Sequence, residues 1–241
     1  VFELVYAGYW WALLVAGASI VWCLVLLLPS RRWRHLAIHY GACSFLWLTG
    51  LSPKVEVEES MPARNVLLAV NHSSYLDPLV LSAVIPGRLT FVAKKELAGQ
   101  RVAGPFLRRT GTLFVRRTDV KGGVEDTRKV LEASLTGERI VSFPEGTLTR
   151  MAGLLGFHVG SFLVAVEAGI PVVPIVISGT RSALRGSQWF PRPSNIDVHI
   201  GKAVRADGSD FSAAIRLRDA VRARMLALSG EPDLALEKVP L

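Results

Sequence analysis

The chain has 241 residues, half of them hydrophobic, and a formal net charge of +8. That length suits one domain with a small appendage, and the apolar fraction excludes a disordered or fibrous chain. The basic balance leaves anionic lipid, phosphorylated substrates or nucleic acid as partners.

The first 28 residues carry one formal charge, Glu3, and residues 9–28 carry none. Such a run is long enough to cross a hydrocarbon core. The basic, aromatic flank Arg31-Arg32-Trp33-Arg34-His35 follows it, as at a membrane face. A second apolar stretch, residues 36–51, has only His39 as a titratable group and is interrupted by Gly41 and Gly50. There is no basic segment before the first run and no small-x-small cleavage site before Arg31, so a retained membrane element is expected rather than a removed leader. Two geometries fit it: a transmembrane hairpin, or two helices half-sunk in one leaflet. A buried core hairpin is the structural alternative. The chain opens on Val1, as a processed, trimmed or partial chain would. The membrane element favours lipid over nucleic acid, and neither zinc-finger spacing nor an RNA-binding signature is present. Cys23 and Cys43 both lie in apolar stretches and read as small buried hydrophobes, not as a disulfide or metal pair.

After Gly50 the pattern changes to strands alternating with helices. Lys54 to Glu58 alternates as a strand, and Val66 to Val70 is a short buried one. Asp77-Pro78 is a helix start, with Asp77 as N-cap, and that helix runs to Val84 before Pro86-Gly87. Residues 89–93 and 113–115 form strands, 124–135 a helix, and 140–143 a strand that enters a Pro-Glu-Gly turn. A helix over 161–168, strands over 172–177 and 196–200, and a basic amphipathic helix over 211–228 complete the pattern. The expected architecture is an α/β domain over 52–229, a mixed sheet flanked by helices, with a two-helix membrane element over 1–51 and a loose tail over 230–241.

Several chemical groups fall at strand ends, where α/β sheets build sites. Asn71, His72 and Asp77 follow the second strand. A carboxylate on one imidazole nitrogen fixes the tautomer and frees the other to take a proton. No Gly-x-Ser-x-Gly elbow accompanies the pair, and Ser73 and Ser74 read as turn or cap residues. A base without a protein nucleophile suggests that the substrate supplies the hydroxyl, in direct transfer. Arg116-Arg117 ends the strand 113–115, where a guanidinium fork can grip phosphate. Glu145-Gly146 lies in a turn, where the carboxylate can accept bonds from a polyol. His35 and His39 are four apart without a third ligand nearby, so no metal site is expected, and they read as the polar edge of a membrane helix.

Together these residues resemble the glycerolipid acyltransferase family that includes the bacterial 1-acylglycerol-3-phosphate O-acyltransferases. Asn71, His72 and Asp77 match its Asn-His-x-x-x-x-Asp motif. Gly111, Phe114 and Arg117 match its Gly-x-x-Phe-x-x-Arg motif, Phe143 to Thr147 its Phe-Pro-Glu-Gly-Thr motif, and residues 172–176 its apolar segment around a proline, here Pro174. The segments 92–97 and 157–160 also look like family sequence, and the likeness runs from about Leu51 to Arg205.

The resemblance implies transfer of a fatty acyl group from a thioester, acyl-CoA or acyl carrier protein, to the hydroxyl of a lysophospholipid, 1-acylglycerol-3-phosphate first of all. No cofactor is expected beyond that co-substrate. His72 would be the general base and Asp77 its orienting carboxylate. Arg117, with Lys94 as a weaker candidate, would hold the acceptor phosphate. Asn71, Gly111, Phe114, Glu145, Gly146 and Thr147 would complete the substrate site. One departure stands out: the family often has Arg directly after Phe-Pro-Glu-Gly-Thr, where this chain has Leu148, with Arg150 two residues later. Either Arg150 substitutes from a shifted turn or the acceptor differs. Membrane lipids are the expected partners, nucleic acid is not, and the expected location is the inner face of the cytoplasmic membrane. A thioester hydrolase and a non-catalytic lipid-binding module are the alternative readings.

Overall fold

The computed structural model describes residues 2–116, 120–135, 137–148, 151–184 and 190–236, with only the backbone of 120–127. Helix α1 (Phe2–Leu27) is uncharged after Glu3 and ends before Pro29, which supplies no N–H and disfavours helix in the residue before it. Helix α2 (Arg31–Leu48) starts at Ser30, whose side chain accepts from the Arg32 amide. The two helices pack on each other, with Trp10 buried edge-on against Phe45 at 5.1 Å.

Among the described residues the main sheet has seven strands in the order β1-β8-β7-β2-β5-β3-β4. These are β1 (Lys54–Val57), β2 (Val66–Val70), β3 (Leu89–Lys94), β4 (Leu113–Val115), β5 (Arg139–Ser142), β7 (Val172–Ser178) and β8 (Asp197–Ile200). Strands β7, β2, β5, β3 and β4 are parallel, and β8 runs antiparallel to β7 and parallel to β1. The apolar runs of β2 and β7 are buried on both faces, as central parallel strands require. Along β2, Val66, Leu68 and Val70 face one core and Leu67 and Ala69 the other. The first core contains Phe45, Leu46 and Leu51 together with residues of α3 (Asp77–Val84). The second lies under α6 (Gly160–Glu167) and α8 (Phe211–Ser229) and takes Val130 from α5 (Val120–Leu135). The remaining elements are α4 (Ala103–Thr110), the short α7 (Thr180–Ala183), and a small parallel pair, β6 (Leu154–Leu155) with β9 (Asp233–Leu234).

Several expectations change. Asp77 is the first residue of α3, not its N-cap; Leu76 holds that place, and the Asp77 carboxylate turns back onto the preceding loop. The C-terminal segment is not loose but held as far as Ala235, whose amide donates to Asp233. Leu234 is buried, Glu231 accepts from the Gly153 amide and pairs with Arg181, and Arg222 holds Asp233. Residues 1–51 are not an appended unit, because Phe45, Leu46 and Leu51 belong to the domain core. The basic flank does not all face outward: Arg31 pairs with Glu138, and buried Arg34 donates to the carbonyls of Leu28, Pro29 and Arg109. With Arg109 donating to Leu26 and Leu28, these guanidiniums satisfy the unpaired carbonyls at the end of α1. His35 and His39 also turn inward, onto the carbonyls of Thr110 and Ser82, and Cys23 is exposed rather than buried.

Helix α1 differs from a core helix in the opposite sense. Of its 26 residues only Ala7, Trp10 and Val25 are buried, while Phe2, Leu4, Val5, Val15, Ile20 and Leu27 stand exposed. Among the described residues it is the one helix long and apolar enough to cross a membrane. A core helix buries its apolar stripe, and this one does not.

Candidate active site

Three adjacent parallel strands, β7, β2 and β5, end side by side and deliver the site from their C-terminal edges. Asn71 extends the pairing of β2 with β7: its amide group donates to the Ile177 carbonyl at 2.9 Å and accepts from the Ile177 amide at 2.7 Å. His72 follows at once. Its Nδ1 lies 2.9 Å from Asp77 Oδ2. A carboxylate only accepts, so Nδ1 carries a proton, and in the neutral ring Nε2 is then the nitrogen with the lone pair. Asp77 is fully buried, and its Oδ2 also accepts from the amides of Ser73 and Ser74, each at 2.8 Å. The five-residue spacing works because the loop wraps around the carboxylate. Phe143, at the end of β5, stacks on the His72 ring at 4.2 Å and fixes its plane.

Glu145 sits beneath the histidine rather than in the open turn. One oxygen accepts from the His72 amide at 2.8 Å and the other from the Leu155 amide at 3.0 Å. Both oxygens thus serve the backbone. Burial pushes its carboxyl up to about 7, a rise only partly offset by these two bonds and the His72 charge. Gly146 turns the chain with φ +76, a conformation that suits glycine, and its amide closes onto the Phe143 carbonyl at 3.0 Å.

A cavity of about 1070 Å³ opens beside His72. Gly146, Thr147, Leu148 and Lys94 are among its lining, and its walls include Phe91 and Leu79, Gly17 and Val21 of α1 and Ala42 of α2. Leu89 sits at the opposite end of β3 from Lys94, so the cavity follows that strand for about 17 Å at 3.3 Å per residue. The apolar N-terminal helices therefore build the inner wall of the site, a role the sequence alone did not assign them.

The structure does not bring every expected residue to this place. Gly111 caps α4 beneath the Arg31 guanidinium, before β4 rather than at its C-terminal end. Phe114 lies in β4 opposite Ala93, away from the cavity lining. Arg117 and Arg150 lie outside the described residues. One buried contact was missed: Thr180, two residues past the end of β7, meets Asp77. The Ser-Gly-Thr sequence closing an apolar strand was the available signal, since strand ends are where sites form.

The arrangement can hold a neutral imidazole with a free nitrogen beside an apolar cavity. The cysteines, Cys23 and Cys43, lie in the N-terminal helices and not beside His72. Ser73 is engaged with Thr180, and Ser74 donates to the Leu184 carbonyl.

Comparison with known proteins agrees with this geometry. The chain is 30% identical over 172 residues to the 1-acyl-sn-glycerol-3-phosphate acyltransferase alpha of Mus musculus, covering 70% of this chain and 60% of that protein. It is 33% identical over 159 residues to the lyso-ornithine lipid O-acyltransferase of Pseudomonas aeruginosa, covering 64% and 59% of the two. The chain thus spans about three fifths of the length of these curated relatives. The crystal structure of the 1-acyl-sn-glycerophosphate (LPA) acyltransferase PlsC from Thermotoga maritima shares the fold, with TM-score 0.73, 22% identity and coverage of 94% of this chain and 95% of that one. The model of the family described as Acyltransferase matches residues 52–178, more than half of the chain, and the chain belongs to that family.

Proposed function

We propose that the chain is a lysophospholipid O-acyltransferase that moves a fatty acyl group directly from a thioester to the acceptor hydroxyl. The observation that carries this reading is the His72–Asp77 pair in the lining of a long apolar cavity, with no serine or cysteine bonded to His72 among the described residues. His72 Nε2 removes the hydroxyl proton as the acceptor oxygen attacks the thioester carbonyl. The tetrahedral intermediate expels the thiolate, which takes that proton back from the imidazolium. Asp77 stabilises the transient positive charge, and the acyl chain occupies the cavity. A volume near 1000 Å³ is ample for a fatty chain.

The mouse relative's name supports 1-acylglycerol-3-phosphate as acceptor. Arg117, by its motif, is the proposed phosphate grip, with Lys94 in the cavity lining as its helper. A second acceptor class has its own support: Leu148 stands where the family often has Arg, and the Pseudomonas aeruginosa relative is named for a lyso-ornithine lipid. The exposed apolar side of α1 supports a membrane-bound enzyme that meets its acceptor in the bilayer, and the inner face of the cytoplasmic membrane is the proposed location because thioester donors are made inside the cell.

The test is acyl transfer by the purified full chain in lipid–detergent micelles, with acyl-CoA and acyl carrier protein as separate donors and a panel of lysolipids as acceptors. Acceptor-dependent thiol release with formation of a diacyl product is the expected result. Equal thiol release without acceptor, yielding free fatty acid, would make it a hydrolase. No release with either donor would leave a binding module.

A further inference from the structure

Thr180 is fully buried at the junction of β7 and α7. Its Oγ1 lies 2.6 Å from Asp77 Oδ1 and 3.1 Å from Ser73 Oγ. The directions follow from chemistry. A carboxylate has no proton to give, so the Thr180 hydroxyl donates to Asp77. That commits its only proton, so Ser73 must donate to Thr180. The result is an oriented chain from Ser73, which lines the cavity, through Thr180 to Asp77, which in turn accepts from His72.

The two oxygens of Asp77 are not held alike. Oδ2 accepts from His72 Nδ1 and from two backbone amides, whereas Oδ1 accepts from Thr180. Three bonds on one oxygen fix its position but leave the carboxylate plane free to pivot about it. The Thr180 bond stops that pivot and so sets the lone-pair direction presented to Nδ1. The backbone is built for this placement. Gly179 has φ +84, and a Cβ there would run into the Asn195 carbonyl, so the turn that aims Thr180 at Asp77 admits only glycine. A hydrogen-bonded third group that orients a base's partner is a recurrent need in such sites.

We propose that Thr180 is a positioning residue for the transfer reaction: its hydroxyl, oriented by Ser73, locks the Asp77 carboxylate that aligns His72. This rests on the acyl-transfer reading above.

The test compares Thr180→Val, which keeps shape and loses the hydroxyl, with Thr180→Ser, which keeps the hydroxyl and loses the methyl. A hydrogen bond to a charged group corresponds to about ten- to a hundredfold in rate. Thr180→Val should lower kcat by that factor, with KM for donor and acceptor changed less than about twofold, because Thr180 touches neither substrate. Thr180→Ser should recover most of the loss, and Ser73→Ala should fall between them. Wild-type kcat in Thr180→Val, or equal damage in the Val and Ser variants, would overturn the proposal; the second result would assign the effect to methyl packing. If Thr180→Val does not fold, Thr180→Ala takes its place. Loss of the fold in every hydroxyl-free variant would make Thr180 structural and would also overturn the proposal. His72→Ala separates the two readings: activity there sinks the mechanism itself, whereas an inactive His72→Ala beside a fully active Thr180→Val sinks only the role of Thr180.

Discussion

Replacing Asp77 by Asn keeps the shape of the site and removes one charge. In the wild type the buried carboxylate accepts from His72 Nδ1 at 2.9 Å, and in the proposed reaction its charge faces the imidazolium that forms as the acceptor hydroxyl loses its proton. Two opposite charges about 4 Å apart attract by about 4 kcal/mol at an effective dielectric of 20. The asparagine oxygen can still accept from the Ser73 and Ser74 amides, and its NH2 can donate to the Thr180 hydroxyl, which then turns its proton elsewhere. The loop therefore keeps its packing while the attraction in the transition state is lost. At about 1.36 kcal/mol per decade this predicts a fall in kcat of about a thousandfold, with the thermal midpoint near that of the wild type. Thiol release from acyl-CoA at saturating acceptor measures the first quantity, and circular dichroism on heating the second. A kcat within tenfold of wild type in folded Asp77→Asn protein would refute charge stabilisation by Asp77. A collapse of the thermal midpoint would show instead that the carboxylate mainly holds the loop together.

Three other outcomes can be checked. Glu145 has its carboxyl raised from 4.5 to about 7, so the fold favours its protonated form: that contribution is full below about pH 4.5 and is lost as pH rises through 7. The stability difference between wild type and Glu145→Gln, read by denaturant titration, should therefore shift against the wild type by about 3 kcal/mol between pH 4.5 and 8, and a pH-independent difference contradicts this. Arg117→Ala should raise the acceptor KM or lower acceptor kcat/KM by one to two decades, about 1.5–3 kcal/mol, with donor kcat/KM far less affected; an equal loss for both substrates points to a structural arginine, and the same assay on Arg150→Ala tests whether that residue compensates for Leu148. The full chain should float with anionic liposomes after a high-salt wash because apolar burial of the outer side of α1 anchors it, and a monodisperse chain that stays at the bottom of the gradient without detergent rules this out.

Part of this protein is written locally. The strands β2 and β7 are continuous apolar runs, and such runs bounded by turn signals become buried parallel strands wherever they fall. The α/β alternation, the helix after Asp77-Pro78 and the His72–Asp77 pair are of the same kind, since each depends on residues within one turn of chain. The shorter pieces were not legible. Helix α4 has Gly104 and Pro105 in its first turn, and β6 and β9 are two residues each and gain definition only from one another. Glu145 looked like a turn carboxylate because its partner amides are 73 residues back and 10 residues on; its burial comes from the meeting of β2, β5 and the Leu155 segment.

The N-terminal region shows the same division from the other side. Its apolar character is plain in the sequence, and so is its suitability for a membrane. Only the fold reveals that α2 contributes to the domain core and that Gly17, Val21 and Ala42 wall the cavity beside His72. The sequence by itself determined the longer strands, most of the helical periodicities and the His72–Asp77 pairing, because hydrophobic period, turn chemistry and a five-residue loop are short-range properties. The tertiary structure alone decided that Thr180 meets Asp77 across 103 residues and that the first helix lines the cavity beside His72, because hydrogen bonds and packing between distant segments form only when the strands have assembled in their order.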